Sequence, residues 1–245
     1  MRYKIIIEYD GTPFVGWQRQ DNGLSVQECI ETAIESMFQE KPVLFGAGRT
    51  DAGVHATGQV AHFDIEHKEL DTYSIKTGLN HHLKIYPISV LDVIEVDAEF
   101  HSRFDAKERK YLYRIVNRNS PLSIEKGRAW LVMKNLNLEK MLACAPIIEG
   151  KHDFTTFRSV NCQSKSPIKT LNSCKITQQD DNIYFGFVAP SFLQHQIRSL
   201  VGTIKMVGEG LWDIERFQQA LDAKDRSKCG ALAPAEGLYF MEVKY

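Results

Sequence analysis

The order in which strand-like and helix-like patterns follow one another constrains this chain most. "YKIIIEY" (residues 3–9) reads as a strand and runs into a turn through Gly11, Pro13 and Gly16. Ser25 starts a helix, with Glu28 three residues on as the second half of a capping box. Val26, Ile30, Ala33, Ile34, Met37 and Phe38 then fall on one helical face. "PVLFGA" and "GQVAHFD" are short strands on either side of a glycine-rich loop. A helix pattern around 72–80 and a strand at "PISVLDVIEV" (87–96) complete the series. The order β-α-β-β-α-β is the split βαβ unit of ferredoxin-like folds.

The remainder reads the same way. "KYLYRIVNR" (110–118) is a strand, and Leu138, Met141, Leu142 and Ala145 mark a helix. "LNSCKITQ" and "IYFGFV" form a strand pair around a polar turn at Asp180–Asn182. Leu193, Ile197, Leu200, Val201 and Ile204 give the apolar face of a second helix; a short helix begins near Asp213, and "GLYFMEV" closes as a strand. No residue-level repeat is visible, so a duplication rests on element order alone. The expected fold is α+β (mixed α/β): two ferredoxin-like halves, residues 1–104 and 105–245, with a central catalytic cleft at the seam.

The loop between the short strands, "GAGRTDAGVHATGQVAHFD" (46–64), invites a nucleotide-cradle reading. Its parts exclude that reading. A P-loop ends in G-K-[ST], and the dinucleotide fingerprint needs G-x-G-x-x-G running from strand into helix. Gly48 and Gly53 instead permit backbone turns that let Asp51 project from the loop. An aspartate acts as a covalent nucleophile when it is held in place and kept ionised by a cation. Arg49, two residues away, suits a phosphate or a displaced base. Taken alone, the stretch is more simply a tight turn in which Asp51 caps a local N–H and Arg49 is solvated.

Charge distribution adds a second pointer. Residues 101–130 carry eight Lys/Arg against three acids, a net +5, whereas residues 59–100 carry three lysines against eight acids, a net −5. A chain of formal net charge −1 can thus present a basic groove. "RKYLYR" puts Tyr111 and Tyr113 on one strand face with Lys110, Leu112 and Arg114 on the other. Aromatics beside cations are what unstacked bases and phosphates require, although two tyrosines packed on a sheet give the same pattern. "SFLQHQIRSLVG" places Gln194 and Arg198 one helical turn apart, beside the apolar stripe. His55, His62, His101, His152 and His195 form no metal-ligand spacing and read as structural or RNA-contacting.

Composition narrows the setting. No apolar run reaches the roughly 18 residues of a membrane span, and the first residues enter a strand pattern without a signal-peptide h-region. Five cysteines, odd in number and without a C-x-x-C pair, argue for free thiols in a reducing cytosol.

Taken together, "YDGTPFVGWQRQ", "SVQE", "GAGRTDAGVHATGQVAHF", "FHSRFDAKERKYLYRI", "HDFTTFR", "FLQHQIRSLVG" and "AKDR…APAEGLYF" resemble the tRNA pseudouridine synthase A (TruA) family over nearly the whole length. "GRTDAGVHA" is its most specific part. The resemblance implies isomerisation of uridine to pseudouridine at positions 38, 39 and 40 of the tRNA anticodon stem-loop. It makes Asp51 the catalytic residue, acting at C1′, at C6 or by assisting elimination. Tyr111 is implied to stack on the base or take the C5 proton, and Arg198 to pair with Asp51. Arg49 is implied in handling the target nucleotide, and His55, close behind it in the loop, is a further substrate-binding candidate. No cofactor and no metal is implied; the partner is tRNA, the setting cytoplasmic and the assembly a homodimer. Departures occur at "LNHHLKIYPISV" and at Gln196 and Ser199, and they bear on local RNA contacts. A non-catalytic tRNA-binding module and a nucleoside hydrolase using Asp51 are the alternatives.

Overall fold

The computed structural model describes residues 1–66 and 70–245. The chain divides into two compact units, residues 1–107 with 239–245, and residues 108–238.

In the first unit β1 (Arg2–Tyr9) alternates strictly, burying Tyr3, Ile5, Ile7 and Tyr9 on one face. Helix α1 (Val26–Phe38) starts where the capping residues place it: Ser25 Oγ accepts from the Glu28 backbone N–H at 3.2 Å. Such a cap is worth about 1 kcal/mol. Its buried face includes Val26, Ile30, Ala33, Ile34 and Phe38, with Cys29 added to the expected stripe. The two strands flanking the loop are β2 (Phe45–Gly46) and β3 (His55–Asp64). Helix α2 (Thr72–Leu83), capped by Asp71, leads into β4 (Ile88–Val96). This is the β-α-β-β-α-β order expected from periodicity. β1 lies between β3 and β4, antiparallel to both, and β2 pairs antiparallel with β3.

The second unit opens with β5 (Glu108–Asn117), beside which β6 (Trp130–Val132) runs parallel. Two short helices follow, α3 (Leu138–Leu142) and α4 (Ala145–Ile148). A separate hairpin is made by β7 (Gly150–Asp153) and β8 (Ile168–Leu171). β9 (Ser173–Gln179) and β10 (Asn182–Ala189) are the expected strand pair, and β10 also pairs antiparallel with β5. Helix α5 (Gln196–Gly208) is the core of this unit, with ten of its residues buried, and α6 (Ile214–Ala223) is capped by Asp213. The closing strand β11 (Leu238–Lys244) belongs to the first unit from Tyr239 on, where it pairs parallel with β3.

One sequence reading changes here. Gln194 is not helical, because His195 adopts a left-handed backbone (φ 65°) and α5 begins only at Gln196. The Gln196 side chain turns back and its Oε1 accepts from the Leu193 N–H at 2.8 Å. Gln194 and Arg198 are therefore not a helical pair; the apolar period had counted Leu193 as part of the helix. All five cysteines are free. Among the described residues no helix is long and apolar enough to cross a membrane.

His62 on β3 has a consequence for stability. Its ring is buried against Phe45, stacked at 5.1 Å. Burial first, then the charges of Arg2 and His101, push its pKa down to about 4. An unfolded histidine titrates near 6.5, so the native state holds fewer protons than the unfolded chain between these values. Stability is then full above pH 6.5 and falls as pH drops through the window to about 4. Urea unfolding from pH 7 to 4.5 should show this slope. In His62→Gln the slope should shrink by up to about 1.4 kcal/mol per pH unit, one proton's worth. Identical slopes would remove His62 from the account.

Candidate active site

The Asp51 loop leaves β2 at Gly46 and enters β3 at His55. Ala47 N–H extends the β2–β3 ladder to the Val60 carbonyl at 2.8 Å, after which the chain departs from the sheet. Gly53, at φ 76°, supplies the left-handed step that returns it, and the turn closes with Val54 N–H donating to the Asp51 carbonyl at 3.1 Å. The loop is sewn to the segment after β1. Gly16 and Asp51 form an antiparallel bridge, and Trp17 N–H donates to the Thr50 carbonyl at 3.0 Å.

Buried side chains fix the loop from below. Tyr9 Oη lies 2.8 Å from Thr50 Oγ1, and burial pushes its phenol up to about 12, so it stays neutral. The Gln59 amide donates to the Gly48 carbonyl at 2.8 Å. These contacts hold the backbone on both sides of Asp51, which is itself half-buried. A side chain on a loop tied down at both ends is held in a fixed position, as catalysis by a positioned group requires.

Gly11 shows how closely the two segments approach. A Cβ there would fall inside the van der Waals envelope of the Val54 carbonyl oxygen. Gly11→Ala must therefore push the loop away from β1 and is expected to cost about 2–3 kcal/mol. Thermal unfolding checks this, and an unchanged Tm would show that the approach can relax freely.

His55 is 2% exposed, its ring stacked on Tyr239 at 4.8 Å. Its Nδ1 accepts from the Gly11 N–H at 3.1 Å and lies 3.2 Å from Asp10 Oδ1. The side chain thus braces the loop's support from within. Arg49 is exposed; partial desolvation, then the nearby Arg103, lower its pKa without removing its charge.

The structure brings Asp51, Arg49 and His55 together on this loop and its strand, while Tyr111 and Arg198 belong to the second unit. On β5 the two tyrosines share a face, as their spacing requires, but differ in setting. Tyr113 is fully buried, its hydroxyl donating to the Pro234 carbonyl at 2.7 Å, and burial drives its pKa strongly upward. Tyr111 retains 8% exposure and meets Phe192 edge-on at 5.1 Å. Arg198 is half-buried rather than a solvated surface cation: its Nε donates to the Ala233 carbonyl at 2.8 Å. Ala233 N–H returns a bond to the Arg198 carbonyl at 3.1 Å. Its neighbour Ser199 is fully buried, and among the described residues its hydroxyl has no hydrogen-bond partner.

Sequence reasoning had passed over Tyr9, Gly11, Trp17 and Gln59 as loop supports. Three of them stand in "YDGTPFVGW", where the residues announce a strand and a turn but not what the glycines and aromatics pack against. Among the described residues no group of three or more His, Cys, Asp or Glu could hold a metal ion.

The profile of the tRNA pseudouridine synthase family matches residues 5–105 and 145–245. Asp51, Arg49, His55 and Arg198 fall inside these stretches, and Tyr111 lies between them. The chain is 49% identical over 244 residues to a tRNA pseudouridine synthase A of Parvibaculum lavamentivorans, covering 100% of this chain and 99% of that protein. It is 50% identical over 246 residues to the protein of that name from Rhizobium meliloti, with 100% and 99% coverage. The one from Ehrlichia ruminantium (strain Welgevonden) is 48% identical over 246 residues, with 100% of both chains covered. The chain belongs to the tRNA pseudouridine synthase family.

Proposed function

We propose that the chain isomerises uridine to pseudouridine in tRNA, at positions 38, 39 and 40 of the anticodon stem-loop, with Asp51 as the catalytic carboxylate. Its similarity along the whole length to proteins named tRNA pseudouridine synthase A carries this reading, supported by the braced Asp51 loop. The N1–C1′ bond breaks, the uracil turns, and a C5–C1′ bond forms. C5 gives up a proton and N1 takes one up, so mass and redox state are unchanged and no cofactor is needed.

In this reading the target uridine leaves its stack, at a cost of a few kcal/mol, and Arg49 handles the displaced nucleotide. His55 acts as a positioning residue through Gly11 and Asp10. Tyr111 stacks on the base and moves the C5 proton, and Arg198 keeps the carboxylate ionised. The enzyme acts as a homodimer in the cytoplasm.

The test is incubation with unmodified tRNA transcript, digestion to nucleosides and analysis by retention and mass. A uridine isomer of unchanged mass is expected, and it should disappear from transcripts whose uridines at those three positions are replaced by cytidine. Free uracil with an abasic site would make the protein a hydrolase, and binding with no product would make it a binding module.

A further inference from the structure

The segment after β4 is held unusually firmly for a connection. Arg2 bonds the Ala98 and Phe100 carbonyls, and Tyr245 Oη donates to the Ser102 carbonyl at 2.8 Å. Ser102 is fully buried, and its Oγ donates to the Phe45 carbonyl at 2.6 Å, on the strand that leads into the Asp51 loop. His101 Nδ1 accepts from the Arg103 N–H at 3.1 Å, and Asp105 Oδ2 accepts from the His101 N–H at 2.7 Å. A segment so tied would be expected to tuck its largest apolar side chain inward.

Phe100 does so, half-buried against Tyr245 at 4.9 Å, but the second phenylalanine does not. Phe104 is 75% exposed, its ring 4.3 Å from that of His101 and its face 5.8 Å from the Arg103 guanidinium. His101 in turn packs edge-on against His62 at 4.8 Å, so the exposed ring stands on an aromatic column with a buried base. Arg103 is exposed, and it lies close enough to Arg49 to help lower that residue's pKa. Two like charges brought near each other beside an exposed, rigidly held ring match an anion joined to a flat apolar partner. A nucleotide is that combination.

We propose that Phe104 is a stacking platform for a nucleotide of the bound tRNA outside the target uridine, with Arg103 holding its phosphate. The proposal names an additional contact for the tRNA reading above and rests on it for the identity of the RNA. Aromatic stacking on a base is worth enough to change affinity by about tenfold or more per contact. Phe104→Ala should weaken binding of unmodified tRNA transcript by about that factor, without changing the slope of log Kd against log salt. Phe104→Trp should bind like the wild type, and Phe104→Leu like the alanine variant. Arg103→Gln should flatten the salt slope by about 0.7–0.9, the share of one phosphate. The exposed ring makes unchanged thermal unfolding the expected control.

Wild-type affinity in Phe104→Ala, or full recovery by leucine, would overturn the proposal. So would sedimentation showing that these variants change self-association rather than RNA binding, because the ring would then face protein. The two readings fail separately. A wild-type protein that makes no pseudouridine yet loses RNA affinity in Phe104→Ala refutes the proposed reaction and keeps the platform. Normal product formation and normal affinity in Phe104→Ala refutes the platform alone.

Discussion

Asp51→Asn is expected to abolish pseudouridine formation while leaving folding and tRNA binding close to wild type. The substitution is near-isosteric, and the backbone that mounts it is fixed by other residues: Trp17 N–H on the Thr50 carbonyl at 3.0 Å and Val54 N–H on the Asp51 carbonyl at 3.1 Å. What changes is the carboxylate. An amide is a far weaker nucleophile and carries no negative charge to offset charge developing at the sugar. Single-turnover assays at saturating enzyme isolate that loss from any change in affinity. Retention of more than about a tenth of the wild-type rate would remove Asp51 from the nucleophile's role.

Tyr111→Phe separates two roles that the ring's position alone leaves together. The variant keeps the aromatic face and its edge contact with Phe192, so stacking and packing survive. If the hydroxyl carries the C5 proton, the single-turnover rate should fall on the order of a hundredfold with little change in Kd. A ring that only stacks predicts nearly full activity, and that outcome would overturn the proton-transfer role. Tyr113→Phe is the matched control. It removes the bond to the Pro234 carbonyl and should cost about 1 kcal/mol of stability rather than activity.

The secondary structure of the first unit was legible because it is written in local periods. β1 alternates, α1 repeats at helical spacing behind a serine cap, and neither needs a distant partner to be recognised. Readings failed where a tertiary contact redirected a local pattern. Leu193 continues the apolar spacing of α5, yet a left-handed His195 and the Gln196 side chain make the helix begin only after it. β3 starts at His55 rather than Gly58 because its first residues pair with Tyr9 and Tyr239, from opposite ends of the chain. β6 and the β7–β8 hairpin left no pattern long enough to read.

The candidate site divides along the same line. Glycine spacing and the "GRTDAG" string singled out Arg49 and Asp51, since backbone freedom and side-chain chemistry are properties of the residues themselves. The bracing by Tyr9, Gly11 and Gln59 was hidden, because it depends on partners up to 44 residues away in the chain. Tyr111 and Tyr113 mark the limit most clearly. A period of two puts both on one face of β5 and makes them equivalent. Pro234 and Gly237, more than a hundred residues later, enclose Tyr113 completely, while Tyr111 keeps 8% exposure. Sequence determined the face, because strand geometry is local; burial was decided by tertiary packing, because the atoms that exclude water arrive from elsewhere in the chain.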